Sequence, residues 1–587
     1  MIRAELRSAI DAWAAGDPDP ATRAELTSLV AAGDVAELEE RFAQPVGFGT
    51  AGLRAPLGAG PGRMNRAVLR TAVAGLVRWL ARTDPEAPRR GVVVARDARR
   101  MSQELAADAA LVLAAAGIPA RVFPGFAPTP LAAYAVAALG AAAGVVVTAS
   151  HNPPEYNGCK LYGPSGAQLI PPDDAAVAAQ MAQAGPATGV PLLGEAEARA
   201  AGLLREIGPE VRERYLKAVL AERRHPGEGT DLVIAYTALH GVGGALAVEA
   251  LHRSGFASVH VVQEQQAPDA AFPTIASPNP EEPASLERVR ALAEAVSADL
   301  VLANDPDADR LAVLVRSEGG TLRLLNGNEV GVLLGHYLLS EGPPVPRPLV
   351  MSTVVSSVQL ARIAERLGAS YEQTLTGFKW IANRAQRRSA EDGARFVFGY
   401  EEALGYGVGS AVHDKDGIGA AVAMADLAGW LRAQGSSVVQ HLHGLARTFG
   451  VHATRQRSIT LQGASGAATI ARVMEGFRDD RPRRIGGRPV TAVSDYGRGE
   501  RSSPEGTVPL SLPRANLLGF DLEGGARALL RPSGTEPKLK IYVEVAEAAS
   551  PGEALERVEA RAGAMAEAIL LGVLDLARSR GLEAGGR

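Results

Sequence analysis

Gly91-Val-Val-Val-Ala-Arg-Asp97 is a Val-rich apolar run ending at a charged pair; a helix-period segment follows it, closing at Gly117, and then a second short run, Ala120-Arg-Val-Phe123. β-Branched side chains are stiff and suit a pleated strand, whereas the apolar spacing of the next segment, about fifteen residues, suits one face of a helix. The pattern returns at Asp231-Leu-Val-Ile-Ala-Tyr236, whose helix closes at Gly255 before Ser258-Val-His-Val-Val262. It returns again at Pro348-Leu-Val-Met-Ser-Thr353, whose helix closes at Gly368 before Ser370-Tyr-Glu-Gln-Thr374. The copies lie too far apart for a short-period solenoid, so they predict three similar α/β domains with mixed sheets covered by helices. The last part reads differently. The alternating strand Leu539-Lys-Ile-Tyr-Val-Glu-Val545 and a long helix from Pro551 to about Ser579 predict a fourth, α+β domain after a boundary near Thr448 to Thr460. The expected domains are 1–210, 211–322, 323–447 and 448–587, the first carrying an N-terminal helical extension that packs on it.

Length and composition agree. A chain of 587 residues is long enough for several compact units, and 47% hydrophobic with 21% charged residues at a net charge of -4 is ordinary globular composition. That balance excludes a disordered chain and gives no basic excess for nucleic acid. The single cysteine, Cys159, excludes an intrachain disulfide and a Cys-based metal cluster, and suits a reducing cytoplasm. The amino terminus carries charges where a secretory signal needs an apolar run and reads as an amphipathic helix through Trp13. Leu131 to Ala149 is uncharged, but it is mostly Ala, is interrupted by Gly140 and Gly144, and divides into a helix and the strand Val145-Val-Val147. No membrane span is expected.

Only six of the 61 Lys and Arg residues are Lys, and four of them, Lys160, Lys379, Lys415 and Lys538, read as lying in polar, Gly-containing loops. A compact point charge can be required there in place of a planar fork. In Thr148-Ala-Ser-His-Asn-Pro-Pro-Glu-Tyr-Asn-Gly-Cys-Lys160, Ser150 follows a buried strand, which predicts an exposed hydroxyl on a rigid support. A serine hydrolase is disfavoured, since the nucleophile-elbow pattern is absent and the adjacent His151 should point away from Ser150.

Asn304-Asp-Pro-Asp-Ala-Asp-Arg310 follows the apolar strand Leu300-Val-Leu-Ala303. Carboxylates at Asp305, Asp307 and Asp309 project to one side of an extended chain and can converge on a hard cation, Mg²⁺ above all. The calcium-hand spacing fails, because Arg310 stands where that loop needs Gly and Arg316 where it needs Glu. Arg531-Pro-Ser-Gly-Thr-Glu-Pro-Lys538 gathers hydroxyls, a Gly and two cations into a candidate anion nest, with Arg531, Ser533, Gly534 and Thr535 as donors. Gly399-Tyr-Glu-Glu-Ala-Leu-Gly-Tyr406 presents Glu401 and Glu402, carboxylates of the kind that accept hydrogen bonds from sugar hydroxyls. Gly47-Phe-Gly-Thr-Ala-Gly52 fits a dinucleotide fingerprint only in spacing; without a strand before it and a helix after it, it reads as a flexible loop presenting Arg54.

Taken in chain order, Gly49-Thr-Ala-Gly-Leu-Arg54, the serine loop, the Asp loop, Gly377-Phe-Lys379, Glu401-Glu402 and the loop at 531 to 538 resemble the α-D-phosphohexomutase family, which includes phosphoglucomutases and phosphomannomutases. The resemblance covers nearly the whole chain. It implies four domains around a central cleft, with phosphoserine, metal-binding, sugar-binding and phosphate-binding domains in that order. It implies that Ser150 is carried as phosphoserine, that Asp305, Asp307 and Asp309 bind a Mg²⁺ contacting its phosphate, and that Arg54, His151, Lys160 and Arg310 surround the reacting groups. Lys160 is then a candidate general base or acid, or an electrostatic group. Glu401 and Glu402 would hold the sugar, and Arg531, Ser533, Gly534, Thr535 and Lys379 the non-reacting phosphate. The implied reaction is a phosphosugar mutase, with a sugar 1,6-bisphosphate as intermediate and activator, in a cytoplasmic monomer or homodimer that binds neither nucleic acid nor membrane. Many relatives carry Ser two residues after the first sugar-binding Glu; here Ala403 stands there, which looks more like the branch with phosphopentomutase and glucose-1,6-bisphosphate synthase activities. Paired Glu residues resemble the gluco-type pattern, so glucose phosphate is the expected substrate, with mannose and pentose phosphates or bisphosphate synthesis as alternatives.

Overall fold

The computed structural model describes residues 2–49, 52–461, 463–533 and 537–582, and the chain forms two compact units, Met1–Leu349 with Gly377–Ser436, and Val350–Thr376 with Ser437–Arg587. The architecture is α/β with mixed sheets.

The first unit opens with helices Ala4–Gly16, Pro20–Ala32 and Val35–Ala43, whose inward residues Ile10, Leu26 and Leu38 are fully buried together with Ala59. The extension is anchored to the turn that follows it. Arg41 pairs with Glu25 and Glu37 at 2.7 Å each and donates to the Ala59 carbonyl, while the Ala59 N–H donates to Glu25. Then comes a seven-stranded sheet in the spatial order Phe48–Gly49, Gly52–Pro56, Tyr156–Tyr162, Ala143–Val147, Val92–Arg96, Ala120–Val122, Leu204–Glu206. Its first four strands pair antiparallel and its last four parallel. The parallel part is the expected strand, helix, strand unit. Helix Ser102–Ala115 ends just before Gly117, whose φ of 72° supplies the left-handed turn that a side chain would oppose.

The expected loop around Arg54 is instead a strand. Leu53 and Ala55 are buried on alternate positions of Gly52–Pro56, and Arg54 sits opposite Gly158 of the neighbouring strand. Gly52 lets the two backbones meet, since a Cβ there would lie 2.2 Å from the Cys159 carbonyl oxygen. Lys160 and Lys538 likewise lie in strands and Lys379 in a helix; of the four Lys expected in loops, Lys415 alone does. The Ala-rich segment divides into helix Thr129–Ala138 and strand Ala143–Val147, as read, and among the described residues no helix is long and apolar enough to cross a membrane.

The second sheet of this unit has the order Leu322–Leu325, Leu311–Arg316, Leu300–Asn304, Val233–Thr237, Ser258–Val261, with the last three parallel. Helices Gly327–Ser340, Phe378–Asp392 and Gly417–Ala433 and the hairpin Arg395–Glu401 with Gly405–Val408 complete the unit.

In the second unit an antiparallel sheet runs from Val451–Thr460 through Lys538–Glu547, Ala526–Pro532, Leu518–Leu522 and Arg488–Asp495 to Glu500–Ser503 and Gly506–Pro509. The inward residues Leu539, Ile541 and Val543 pack with Val558, Ala562, Ile569 and Val573 of helix Leu555–Ser579. Glu544, on the other face of its strand, joins the segment 350–376 to this sheet. It accepts from the Ser357 hydroxyl at 2.5 Å and the Val358 N–H at 3.1 Å, and it pairs with Arg527 at 2.6 Å and His452 at 2.8 Å. Burial opposes its charge, but Arg527 and the His452 bond outweigh burial and hold its carboxyl down to about 2. A carboxyl depressed from 4.5 stabilises the fold above that pH, and its contribution is lost as pH falls from 4.5 toward 2. Glu544→Gln is therefore expected to lower unfolding stability at pH 7 by about 3 kcal/mol. Urea titrations of the two proteins should converge as pH drops through that window, and a constant difference down to pH 2 would show that the ion pair is not the source.

Candidate active site

The strands Ala143–Val147 and Leu300–Asn304 each lie beside a parallel inner neighbour, so the loops that leave them emerge at carboxyl ends, where open α/β sheets place their ligands. Ser150 leaves the first loop with φ 52°, and its N–H donates to the Thr148 hydroxyl at 2.9 Å. That left-handed residue breaks the alternation that would have turned His151 away: His151 Nδ1 lies 3.3 Å from Ser150 Oγ. The hydroxyl is not exposed as expected. Ser150 is buried and donates to Asp305 Oδ2 at 2.8 Å.

The three Asp residues converge, although by a turn and not by an extended chain. Ala308 takes φ 54° and its N–H closes on the Asp305 carbonyl at 2.9 Å, which brings one oxygen of each carboxylate within 4.8 Å of the others. Lys160, fully buried on strand Tyr156–Tyr162, donates at 2.7 Å to Asp307 Oδ2 and at 2.7 Å to Asp309 Oδ2. The Thr129 hydroxyl donates to Asp307 Oδ2 at 2.6 Å, and Lys415 lies 3.2 Å from Asp309. Arg310 donates its N–H to Asp305 Oδ1, and Arg54 reaches the Asn152 side chain at 3.1 Å. Gly417 keeps the Asp turn closely packed, since a Cβ there would lie 2.3 Å from the Arg310 carbonyl oxygen.

The electrostatics divide the triad. Burial, and then the charges of Asp307 and Asp309, push the Asp305 carboxyl well above the usual range. Burial pushes Asp307 and Asp309 the same way, but Lys160 outweighs it and holds both below the usual range. Their other oxygens, Asp307 Oδ1 and Asp309 Oδ1, are buried without a hydrogen-bond donor. Two such acceptors beside the Asp305 carboxyl, all hard oxygen donors, fit a divalent cation such as Mg²⁺.

The remaining expected residues fall in two places. Glu401 ends strand Arg395–Glu401, is nearly buried, and accepts the Gly377 N–H at 2.8 Å ahead of helix Phe378–Asp392; Glu402 follows, half-buried. Lys379 lies on that helix, 3.1 Å from Asp174. Arg531 and Ser533 belong to the second unit, where the Ser533 N–H donates to the Lys538 carbonyl at 2.7 Å. Gly534 and Thr535 lie outside the described residues. Sequence reading missed Thr129, and it gave Lys415 no partner. Thr129 is masked as an ordinary first helical residue before Pro130, and Lys415 was visible only through the scarcity of lysine.

Family models described as phosphoglucomutase/phosphomannomutase, alpha/beta/alpha domains I, II and III and C-terminal domain match residues 45–187, 213–319, 326–449 and 496–562. A phosphopentomutase of Mus musculus is 33% identical over 560 residues, which cover 92% of this chain and 90% of its own. A phosphoglucomutase of Staphylococcus epidermidis is 33% identical over 511 residues, 87% of this chain and 92% of its own. Among solved structures, a phosphoglucomutase/phosphomannomutase family protein of Burkholderia thailandensis shares the fold, with a TM-score of 0.65 over 92% of this chain and 98% of its own at 20% identity.

Proposed function

This chain belongs to the phosphoglucomutase/phosphomannomutase family and is a phosphosugar mutase, and on that premise we propose that it interconverts glucose 1-phosphate and glucose 6-phosphate through a phosphate carried on Ser150. The observation that carries the reading is the buried Ser150 hydroxyl 2.8 Å from an Asp triad that is itself paired with Lys160.

In the forward half-reaction a sugar hydroxyl attacks phosphorus, the phosphorus–Ser150 Oγ bond breaks, and a sugar bisphosphate forms. The bisphosphate turns over and returns its other phosphate to Ser150. Asp305, Asp307 and Asp309 would hold Mg²⁺, which when bound neutralises charge on the transferring phosphoryl group. Lys160 would act by its charge or as the general base or acid that exchanges the proton of the attacking sugar hydroxyl; in the free site Asp307 and Asp309 outweigh its burial and favour the ammonium. His151 Nδ1, beside Ser150 Oγ, would hold the proton exchanged at that oxygen. Lys415, Arg310 and Arg54 add positive charge, which matters because two unit charges about 4 Å apart at an effective dielectric near 20 interact by roughly 4 kcal/mol. Glu401 and Glu402 would take the sugar hydroxyls, and Arg531, Ser533, Gly534, Thr535 and Lys379 the distal phosphate, with each of four domains divided at 210, 322 and 447 supplying part of the site.

Pentose phosphate is the second reading, favoured by Ala403 and by the likeness to the mouse phosphopentomutase. Initial rates on glucose, mannose and ribose 1-phosphates, with Mg²⁺ and a trace of glucose 1,6-bisphosphate, decide between them. Glucose 1-phosphate is expected to give the highest kcat/KM. Dominance of ribose 1-phosphate would assign the pentose reading, and net bisphosphate formation from an added phosphoryl donor would move the chain to the synthase activity.

A further inference from the structure

The serine loop contains Asn152-Pro153-Pro154, so two successive residues have no N–H to donate. Its carbonyl groups must find donors elsewhere, because buried backbone acceptors left unpaired are costly. The Tyr156 N–H donates to the Pro153 carbonyl at 3.0 Å and the Leu57 N–H to that of Glu155 at 2.8 Å, and one side chain gathers four of the loop's carbonyls. Arg99, fully buried behind the loop, donates through Nη1 to the carbonyls of Pro153 at 2.8 Å and Tyr156 at 3.1 Å, and through Nη2 to those of Ser150 at 2.6 Å and Asn152. Asp97 lies 3.4 Å from its Nε, and the Phe272 ring lies under the guanidinium at 5.2 Å.

We propose that Arg99 is a positioning residue for phosphoryl transfer: its planar fork sets the path of the loop from Ser150 to Tyr156 and thereby holds Ser150 Oγ against the Asp triad. The proposal rests on the reading of Ser150 as the phosphate carrier. Every carbonyl that the guanidinium binds lies in this loop. In a trans peptide the N–H points opposite to the carbonyl, so drawing the Ser150 carbonyl to Arg99 turns the His151 N–H to the other side of the loop. The fork geometry is what four converging carbonyls need; a lysine would bring the charge without the plane. Arg99 touches no reacting atom, so its loss should act on the rate of the chemical step and not on sugar binding.

The test compares Arg99→Lys and Arg99→Met with Arg223→Lys, which perturbs another buried arginine of the same unit, paired with Asp426 at 2.9 Å and away from the serine loop. For Arg99→Met kcat should fall about 100-fold or more, the loss that follows when a reacting group is misplaced by about 1 Å. KM should stay within about threefold, and Arg99→Lys should fall between Met and wild type. Hydrogen exchange of amides 149–158 should accelerate in the Arg99 variants only. Arg223→Lys should lose thermal stability yet keep kcat. Equal kcat in Arg99→Met and Arg223→Lys, or unchanged exchange in the serine loop, would overturn the proposal. If neither Arg99 variant folds, Phe272→Leu carries the test, with about a threefold to tenfold fall in kcat expected and no change overturning it. Wild type and Ser150→Ala are run alongside. Turnover by Ser150→Ala would refute the phosphoserine reading itself, whereas a dead Ser150→Ala beside a normal Arg99→Met would refute only the role of Arg99.

Discussion

Ser150→Ala is expected to lose more than about 10⁴-fold in mutase turnover, because it removes the one oxygen to which both half-reactions return the phosphate. The fold should survive. The lost hydroxyl makes one donated bond, to Asp305, and the left-handed backbone at Ser150 is held from outside by Thr148 and Arg99. Intact-mass measurement on protein incubated with glucose 1,6-bisphosphate should show an increment of one phosphate in the wild type and none in the variant. Retention of the increment in Ser150→Ala would place the phosphate on another residue and end the Ser150 reading.

The second large effect is on stability. Lys160→Met leaves Asp307 and Asp309 buried without the ammonium that bonds both at 2.7 Å. Removing one partner of a buried ion pair costs about 3–5 kcal/mol, and here Thr129 on Asp307 and Lys415 on Asp309 compensate only part of the remaining charge. In a unit of this size that lowers the melting temperature by roughly 5–10 °C. The loss should be greatest in EDTA and smaller in millimolar Mg²⁺, because a cation on the triad replaces part of the missing charge and ligand binding to the native state raises its stability. Equal destabilisation with and without Mg²⁺ would count against the triad as a metal site. Catalytic rate should fall as well, even where Mg²⁺ restores the fold.

Much of the fold was legible in sequence because periodicity and punctuation agreed. Gly117, Gly255 and Gly368 take φ of 72°, 94° and 71° just after helices ending at Ala115, Arg253 and Arg366. The composition of the active loops was also legible, but their shape was not. Reading Asp305, Asp307 and Asp309 as an extended alternation ignored what Pro306 and a left-handed Ala308 do to the backbone. Placing Ser150 in solvent failed for a related reason. Its burial depends on Asp305, which lies far away in the sequence and reaches it only through tertiary structure. Arg99 was invisible because its partners are carbonyl groups, which every residue has, so no residue type in the serine loop advertises the contact. The strand at Arg54 was hidden by glycines that look like loop punctuation but serve close backbone packing.

Cys159 lies between Leu53 of one strand and Val147 of the other, fully buried, and burial pushes its thiol up to about 12. At working pH it is neither an accessible nor an ionised sulfur, so alkylating reagents should leave the folded protein unmodified. The chain is thus a blank background for thiol labelling. A cysteine introduced at an exposed position in each compact unit would carry a probe nowhere else, and the distance between two such probes could be measured during turnover by fluorescence or spin labels without first removing a native thiol.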